Sequence, residues 1–431
     1  YDKVIKINIV MNRVFLISFF LLLTGGICAQ QATTGTLTLK EAEQRFLERN
    51  LSLIAERYNI DMAQAQVLQA RLFENPVISL EQNVYNRLNG KYFDFGKEGE
   101  MVVGIEQVIR LAGQRNKQIR LEKINREIAG YQFEEVMRTL RQELGEAFIE
   151  VYYLSKSLSV YDKEVSSLEH LLAGIKEQHV KGNVSLMEMT RLESMLFSLK
   201  KDMSECESHY LSRRGELNLL LNLPIDFRTE PIVDEGSLER LTINGLSYAG
   251  LQEMVSVRPD QKMARSNIIA SQADLKLQKS LAFPEFSVKG NYDRQGNFIN
   301  NYFAIGFSMS VPIFNRNQGN IKMARFNLLK AGREQEYIRS KAETELCAAY
   351  TALDKAFRLY RSVDRGLEHN FEKLIAGANE NFIKRNISLL EFIDFYDSYK
   401  ETCIQLYDIK KNVFLGIENL NAVVGQHVFN N

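Results

Sequence analysis

The sequence predicts a mainly α-helical chain with a small β part, built from two copies of one unit. Three observations lead to this fold class. Only 6 prolines occur in 431 residues, and none lies between residues 113 and 182. Apolar residues recur at steps of three and four over long stretches, and one short phrase returns half a chain length later. Because proline breaks helices, these features together favour long, uninterrupted helices in a duplicated arrangement.

The heptad spacing of the apolar residues defines four long helical segments. In the first half, the pattern runs from Phe133 to Ile175 and again from Met189 to Leu220; in the second half, it runs from Leu346 to Leu367 and from Leu389 to Val424. Steps of three and four bring these side chains to one side of a helix, as in a coiled coil. We therefore expect two long hairpins, with a first helix roughly 100 Å long at ~1.5 Å per residue.

The repeated phrase lies between the outgoing and the returning helix of each half. It reads KGNVSLMEM at residues 181–189 and KRNISLLEF at residues 384–392, an offset of 203. Its turn-forming residues, which tolerate a left-handed backbone, are Gly182, Asn183 and Asn386. The two S-x-x-E sequences are typical of capping boxes, which begin a helix. Their residues are Ser185, Glu188, Ser388 and Glu391. Each phrase therefore predicts a hairpin tip.

Four segments alternate apolar and polar residues with period two, which is typical of strands with one apolar face. They occupy residues 77–86, 101–109, 285–293 and 302–311. Membrane-spanning strands have a similar length of ~9–11 residues. The linking segments RLNGKYFDFGKEG and RQGNFINN are polar and rich in Phe and Tyr. A soluble sandwich could use the same alternation, but an export signal and the lack of further strands favour a membrane.

Strands that face lipid must close into a barrel, because open sheet edges are not tolerated there. Membrane barrels have at least about eight strands, whereas this chain offers four. The sequence therefore predicts a barrel shared between copies. Eight strands from two copies would enclose only side chains, and twelve from three copies would leave room for a passage.

The N-terminal segment is typical of an export signal. A basic start at Met11 precedes the apolar run from Val14 to Leu23, and small residues follow up to Ala29. We expect a signal peptide at 11–29, a non-native stretch at 1–10, and an exported mature chain. Cys28 could instead be a lipidated N-terminus. The remaining organisation is repeat 1 at 30–221, an equatorial connector at 222–245, repeat 2 at 246–425 and a tail at 426–431.

Composition and motifs argue against several classes of function. Lys plus Arg balance Asp plus Glu at 54 each, and no nucleic-acid motif occurs. The sequence contains no G-x-S-x-G, H-E-x-x-H or P-loop motif, and its five histidines show no metal-ligand spacing. We expect neither an enzyme nor a cofactor or metal site.

The chain resembles the TolC-like outer-membrane efflux protein family from about Leu37 to Gly425. The resemblance rests on the duplicated helix–strand–strand–helix–helix order, the two tip phrases, SVPIF at 310–314 before a long helix, and VRPD at 257–260. Within the family, the chain looks closer to the branch paired with metal-cation and drug pumps. The resemblance implies a homotrimer with a twelve-stranded outer-membrane barrel and a periplasmic α-helical tunnel. It also implies a periplasmic adaptor protein and an inner-membrane pump of the RND type as partners.

The family resemblance also suggests site residues. Acidic residues just past the second tip narrow the tunnel entrance in the family, and the matching positions here are Glu391 and Asp394. Both tips would dock the adaptor. The tip residues are Gly182, Asn183, Val184, Ser185, Arg385, Asn386, Ile387 and Ser388. The chain departs from the family in two places, since Ile109 replaces a proline and Arg385 lies where repeat 1 has Gly182.

Two other functions fit the same residues. A duct for type I protein secretion would have the same barrel and tunnel, so the sequence does not separate it from a duct for small-molecule efflux. A soluble periplasmic coiled-coil scaffold or adaptor would explain the heptads, but it would not need paired amphipathic strands.

Overall fold

The computed structural model describes residues 34–241, 247–295, 299–363, 377–378 and 380–429. The expected signal peptide at 11–29, the stretch before it and Cys28 lie outside these ranges. Among the described residues, no helix combines the length and the apolar character needed to cross a membrane.

In the first half, two helices lead through a pair of long strands into a very long helical hairpin. The elements are β1 (Thr34–Thr38), α1 (Leu39–Arg49), α2 (Leu51–Arg71), β2 (Val77–Gln82), β3 (Tyr85–Asn86), β4 (Lys91–Tyr92), β5 (Met101–Ile109), α3 (Gln114–Val180) and α4 (Leu186–Leu220). The 67 residues of α3 extend for ~100 Å at ~1.5 Å per residue, the length expected from its heptads.

The second half repeats this order. Its elements are β6 (Arg228–Ile232), α5 (Ser237–Arg240), α6 (Tyr248–Ser256), α7 (Pro259–Ser280), β7 (Phe286–Gln295), β8 (Asn300–Met309), α8 (Gln318–Ser362) and α9 (Leu389–Val424). Residues 380–383 are also helical and lead into the second tip.

Equivalent hydrogen bonds occur in both halves. Each joins the end of the returning hairpin helix (α4 or α9) to the start of the helix that precedes the long strands (α2 or α7). Asn50, which caps α2, donates from Nδ2 to the Leu220 carbonyl at 2.8 Å. Arg258, the residue before α7, donates from Nη1 to the Val423 carbonyl at 3.0 Å. Leu220 and Val423 are 203 positions apart, which is the offset between the two tips. The two halves therefore share the same contact between these two helices.

The four long strands form one antiparallel sheet in the order β2–β5–β7–β8. Strands β5 and β7 belong to different halves, and their pairing joins the halves into a single sheet. Ile109, where the family resemblance led us to expect a proline, ends β5 and pairs with Phe286. Within the described residues, β2 and β8 are the outer strands, and each pairs on one side only.

The register places apolar side chains on one face of this sheet, because directly paired residues point the same way. Two cross-strand rows of that face are Ile78, Ile105, Gly290, Ile305 and Leu80, Val103, Tyr292, Phe303. The alternate rows are mostly polar, such as Ser79, Gly104, Asn291, Ala304. On the apolar face Phe303 is 76% and Ile305 77% exposed, so no part of the described chain covers it.

A small parallel sheet, which the sequence analysis did not predict, pairs β1 with β6. Thr34 lies opposite Arg228, and Thr38 lies opposite Ile232. The pairing fastens part of the expected connector at 222–245 to the start of the described chain.

Helix α3 buries two stripes rather than one. The expected heptad stripe, with Leu144, Ala147 and Val151, packs against α1 and the end of α4. A second stripe on α3 faces the other half of the molecule, where Ile149 and Tyr153 pack against α8 and α9. The long helix of the first repeat therefore belongs to the cores of both halves.

Candidate functional site

The two hairpin tips fold with the same backbone hydrogen bonds, 203 residues apart. In each tip, two successive N–H groups donate to carbonyls three and five residues earlier, which ends the outgoing helix in a Schellman turn. The bonds are Gly182 to His179 at 2.9 Å, Asn183 to Gln178 at 2.9 Å, Arg385 to Phe382 at 3.0 Å and Asn386 to Asn381 at 2.8 Å. The side-chain amides of Asn183 and Asn386 reinforce these turns, at 2.9 and 3.1 Å.

The second tip adopts a left-handed backbone at Arg385, with φ of 59°, and not at the expected Asn386. Arg385 occupies the position of Gly182, whose φ is 75°. A side chain in this region costs roughly 1–2 kcal/mol. The Arg385 guanidinium donates from Nη2 to the Asn183 carbonyl at 2.7 Å, and this bond offsets part of that cost. The arginine therefore connects the two tips directly.

Both S-x-x-E sequences form complete capping boxes. The Ser185 hydroxyl accepts from the Glu188 N–H at 3.2 Å, and a Glu188 carboxylate oxygen accepts from the Ser185 N–H at 2.9 Å. The corresponding distances between Ser388 and Glu391 are 3.3 and 2.8 Å. Hydrogen bonds from the backbone and hydroxyl of each serine hold the pKa of each glutamate below its ordinary value. Both caps are therefore fully formed at neutral pH.

The two acidic residues proposed for the entrance lie on one side of α9. Glu391 is exposed and accepts the capping bonds through Oε2. Asp394, one turn further along, is also exposed. Phe392, between them in sequence, is fully buried. The helix therefore presents both carboxylates to solvent on the side away from its buried residues.

An aromatic cluster below the tips holds the two hairpins together. Phe382 stacks on Phe392 with ring centroids 4.6 Å apart, and Phe392 lies 5.1 Å from Tyr396. These rings pack against Leu168 of α3 and Leu192 of α4. The tips of the two hairpins are therefore one packed unit, which the separate heptads of the sequence did not indicate.

Sequence reasoning missed Glu164, a buried carboxylate on α3. It is 3% exposed, and within the described chain neither of its carboxylate oxygens has a hydrogen-bond partner. Desolvation raises its pKa to about 8; Lys400 of α9 opposes this rise and Asp397 adds to it. The sequence could have indicated this burial. Glu164 lies three residues after Tyr161 and four before Leu168, the spacing of residues on the buried side of a helix.

The described residues contain no cluster of His, Cys, Asp or Glu that could hold a metal ion. Near the first tip, the imidazole Nδ1 of His179 lies 2.7 Å from the Val184 carbonyl, a distance that fits a hydrogen bond closing the turn. The cysteines Cys206, Cys347 and Cys403 form no disulfide bond within the described chain.

Comparison with known proteins supports one family. Residues 43–223 match the model of the outer membrane efflux protein family. The cobalt-zinc-cadmium resistance protein CzcC of Cupriavidus metallidurans is 20% identical over 393 residues, which cover 91% of each chain. The chain is similar to the outer membrane efflux protein family.

Other known proteins are similar over different lengths. The pyoverdine export outer membrane protein OpmQ of Pseudomonas aeruginosa is 23% identical over 231 residues, or 52% of this chain. The aligned part spans about half of OpmQ, 46% of its length. The crystal structure of the Campylobacter jejuni CmeC outer membrane channel superposes with a TM-score of 0.75, at 14% identity, over 94% of this chain and 92% of that one.

These similarities establish a TolC-like fold for the chain. The relatives OpmQ and TolC are outer membrane proteins by name.

Proposed function

We propose that this protein is the outer-membrane exit duct of a tripartite efflux pump, and that three copies share one barrel and one tunnel. The observation that carries the proposal is the four-stranded sheet, which is apolar and uncovered on one face, polar on the other, and continuous with long helices, of which α3 extends for ~100 Å. A soluble scaffold would expose such a face to water at a large hydrophobic cost.

The open edges of the sheet support assembly from several copies. Strand β8 runs opposite to β7, and β2 runs opposite to β5. Strand β8 of one copy is consequently antiparallel to β2 of the next, and every added copy repeats the same pairing. Lipid-facing strands must close in this way. Three copies supply twelve strands, enough for a lumen rather than a core filled by side chains.

We further propose that the tips dock a periplasmic adaptor, which links the duct to an inner-membrane pump of the RND type. The name of CzcC concerns cobalt, zinc and cadmium resistance, and the name of OpmQ concerns pyoverdine export. The similarity to CzcC extends over 91% of both chains and favours metal cations as the exported class, with other small molecules as the second candidate.

Glu391 and Asp394 are proposed as the entrance gate. Around a threefold axis the two residues would form rings of negative charge, which favour cations in a pore. The geometry supports the proposal because both carboxylates are exposed and neither is engaged in an ion pair within the described chain.

The first experiment isolates the protein in detergent from outer membranes and measures its native mass and single-channel conductance. Three chains and a conducting pore are expected. A soluble monomer or dimer in the periplasm would refute the duct.

Charge-neutral variants then test the gate. The double variant Glu391→Gln with Asp394→Asn should reduce the ratio of cation to anion permeability several-fold. Glu188→Gln is the matched control, because it weakens the same type of cap at the other tip. If the control changes selectivity as much as the double variant, the change is a folding effect and the gate assignment is wrong.

A further inference from the structure

The longer of the two hairpin connections of the sheet, residues 83–100 between β2 and β5, is a folded unit with an aromatic surface; we call it the outer loop. Asp94 is its centre. The buried Asp94 carboxylate accepts from Asn89 Nδ2 at 2.5 Å, from the Gly96 N–H at 2.8 Å and from Asn86 Nδ2 at 3.2 Å. Strands β3 and β4 pair inside the loop. The loop therefore has one defined shape.

Two further bonds attach the outer loop to the sheet. Gln82 Nε2 donates to the Asp94 carbonyl at 3.0 Å, and Arg294 Nη1 of β7 donates to the Phe95 carbonyl at 2.9 Å. At Gly99 a Cβ would lie 1.6 Å from the Asp94 carbonyl oxygen, so only glycine fits there. The loop is consequently held against both halves of the sheet.

The surface of this fixed loop is strongly apolar. Six large apolar side chains within twelve residues are between 48% and 84% exposed. They are Val84, Tyr85, Leu88, Tyr92, Phe93 and Phe95. Phe93 is held at a φ of 47°, a strained conformation for a bulky residue. The folded loop therefore keeps these groups exposed although burying them would be favourable, which indicates that another surface covers them.

The position and charge of the loop identify that surface. Strand β2 follows helix α2 and β5 leads into helix α3, so the loop lies at the end of the sheet away from the helices. In an outer-membrane protein with periplasmic helices, this is the external side. Arg87, Lys91 and Lys97 are exposed among the apolar groups, together with Glu98 and Glu100. Aromatic rings beside basic side chains suit the headgroup region of a membrane.

We propose that the outer loop lies in the headgroup layer of the outer leaflet, with its rings among the lipids and its basic residues beside lipid phosphates. The inference rests on the proposed function, since it requires the apolar face of the sheet to contact lipid. In this arrangement the outer loop lies on the membrane surface around the duct and does not block the external opening of the pore.

The test uses the absence of tryptophan from the chain, 0 in 431 residues. Tyr92→Trp introduces a single fluorophore in the loop, and Phe95→Trp is a second choice if the first assembles poorly. Phe307→Trp reports on the apolar sheet face, where Phe307 is 69% exposed. Phe197→Trp, on α4 near the tip and 75% exposed, is the control far from the membrane. Each full-length protein is reconstituted into vesicles of phosphatidylethanolamine and phosphatidylglycerol.

Lipids brominated near the headgroup end of the acyl chain should quench Tyr92→Trp at least half as strongly as Phe307→Trp, and should leave Phe197→Trp unchanged. Replacing Arg87, Lys91 and Lys97 with Gln in the Tyr92→Trp protein should lower the quenching of its fluorescence by brominated lipid at least two-fold. Quenching of Tyr92→Trp by aqueous iodide alone, with Phe307→Trp still quenched by lipid, would overturn the loop assignment and leave the duct intact. If Phe307→Trp is also insensitive to lipid, the proposed function fails as well.

Discussion

The buried Glu164 makes a strong prediction about pH. Its carboxylate lies between α3 and α9, and the charged groups facing it are Lys400 and Asp397. Lys400 does not belong to Glu164 alone, since its ammonium is also 3.7 Å from Asp202 and 3.8 Å from Asp397. The neutral, protonated form of Glu164 is therefore more stable at this buried position than the ionised form.

The sign of the effect follows from the raised pKa. In the folded protein Glu164 holds its proton up to a pKa of about 8, whereas the ordinary value is 4.5. The contribution of Glu164 to the stability of the folded state is therefore most favourable below pH 4.5, and it is lost as the pH rises from 4.5 to about 8. This interval, at ~1.36 kcal/mol per pH unit, corresponds to at most about 5 kcal/mol. The pKa of about 8 already includes the opposing effect of Lys400, so about 5 kcal/mol is the largest loss of stability expected from Glu164.

Glu164→Gln tests the prediction, because glutamine cannot ionise. Thermal unfolding of the detergent-solubilised protein is followed by far-ultraviolet circular dichroism at pH 5, 7 and 9, at one scan rate because such assemblies unfold irreversibly. The variant should melt well above the parent protein at pH 9 and within a few degrees of it at pH 5.

Glu169→Gln is the matched control on the same helix. The Glu169 side chain is 49% exposed and pairs with Lys200, so its loss should change stability by less than ~1 kcal/mol at any pH. A Glu164→Gln effect of equal size at pH 5 and pH 9 would refute the reasoning.

Three further predictions concern the helices. Ser185→Ala and Ser388→Ala should each weaken a tip by about 1 kcal/mol, visible as faster amide exchange confined to that tip; unchanged exchange would contradict the caps. Gly174→Ala should stabilise α3 by up to ~1 kcal/mol, because a Cβ there meets nothing within 4 Å. At Gly145 a Cβ would lie 2.9 Å from a buried carboxylate of α9, so the Gly145→Ala protein should be ~1–3 kcal/mol less stable than the Gly174→Ala protein. Equal melting temperatures would argue against that contact. Arg258→Leu removes a buried guanidinium that pairs with Asp260 and Glu345, and it leaves Asp260 without an ion pair. The loss should cost roughly 3–5 kcal/mol, measured as loss of folded protein from outer membranes; normal yield would contradict it.

Local patterns in the sequence were sufficient for the helices and caps. The expected stripe from Leu389 to Val424 is buried at nearly every step along α9, because heptad spacing aligns residues that are close in the chain. Both capping boxes form as predicted, since their four groups lie within three residues of one another. The alternation of the four strands likewise predicted which side chains share a face.

Features that depend on distant parts of the chain were not predictable in this way. The pairing of β1 with β6 joins residues 194 positions apart, Thr34 and Arg228, through strands too short for a clear period. The left-handed Arg385 was predicted one residue too late, although its match to Gly182 in the repeat could have identified it. The bond from Arg385 to Asn183 required both tips in place.

The sequence by itself therefore determined the elements: two long hairpins, their capped tips and four one-sided strands, all of which follow from periodicity and short-range hydrogen bonds. The tertiary structure alone decided how the halves combine. It joined the strands through β5 and β7, buried a second stripe of α3 against the other repeat, and placed Glu164 where water cannot reach it. The physical reason is that burial depends on which surfaces meet, and surfaces far apart in the chain meet only once the whole chain has folded.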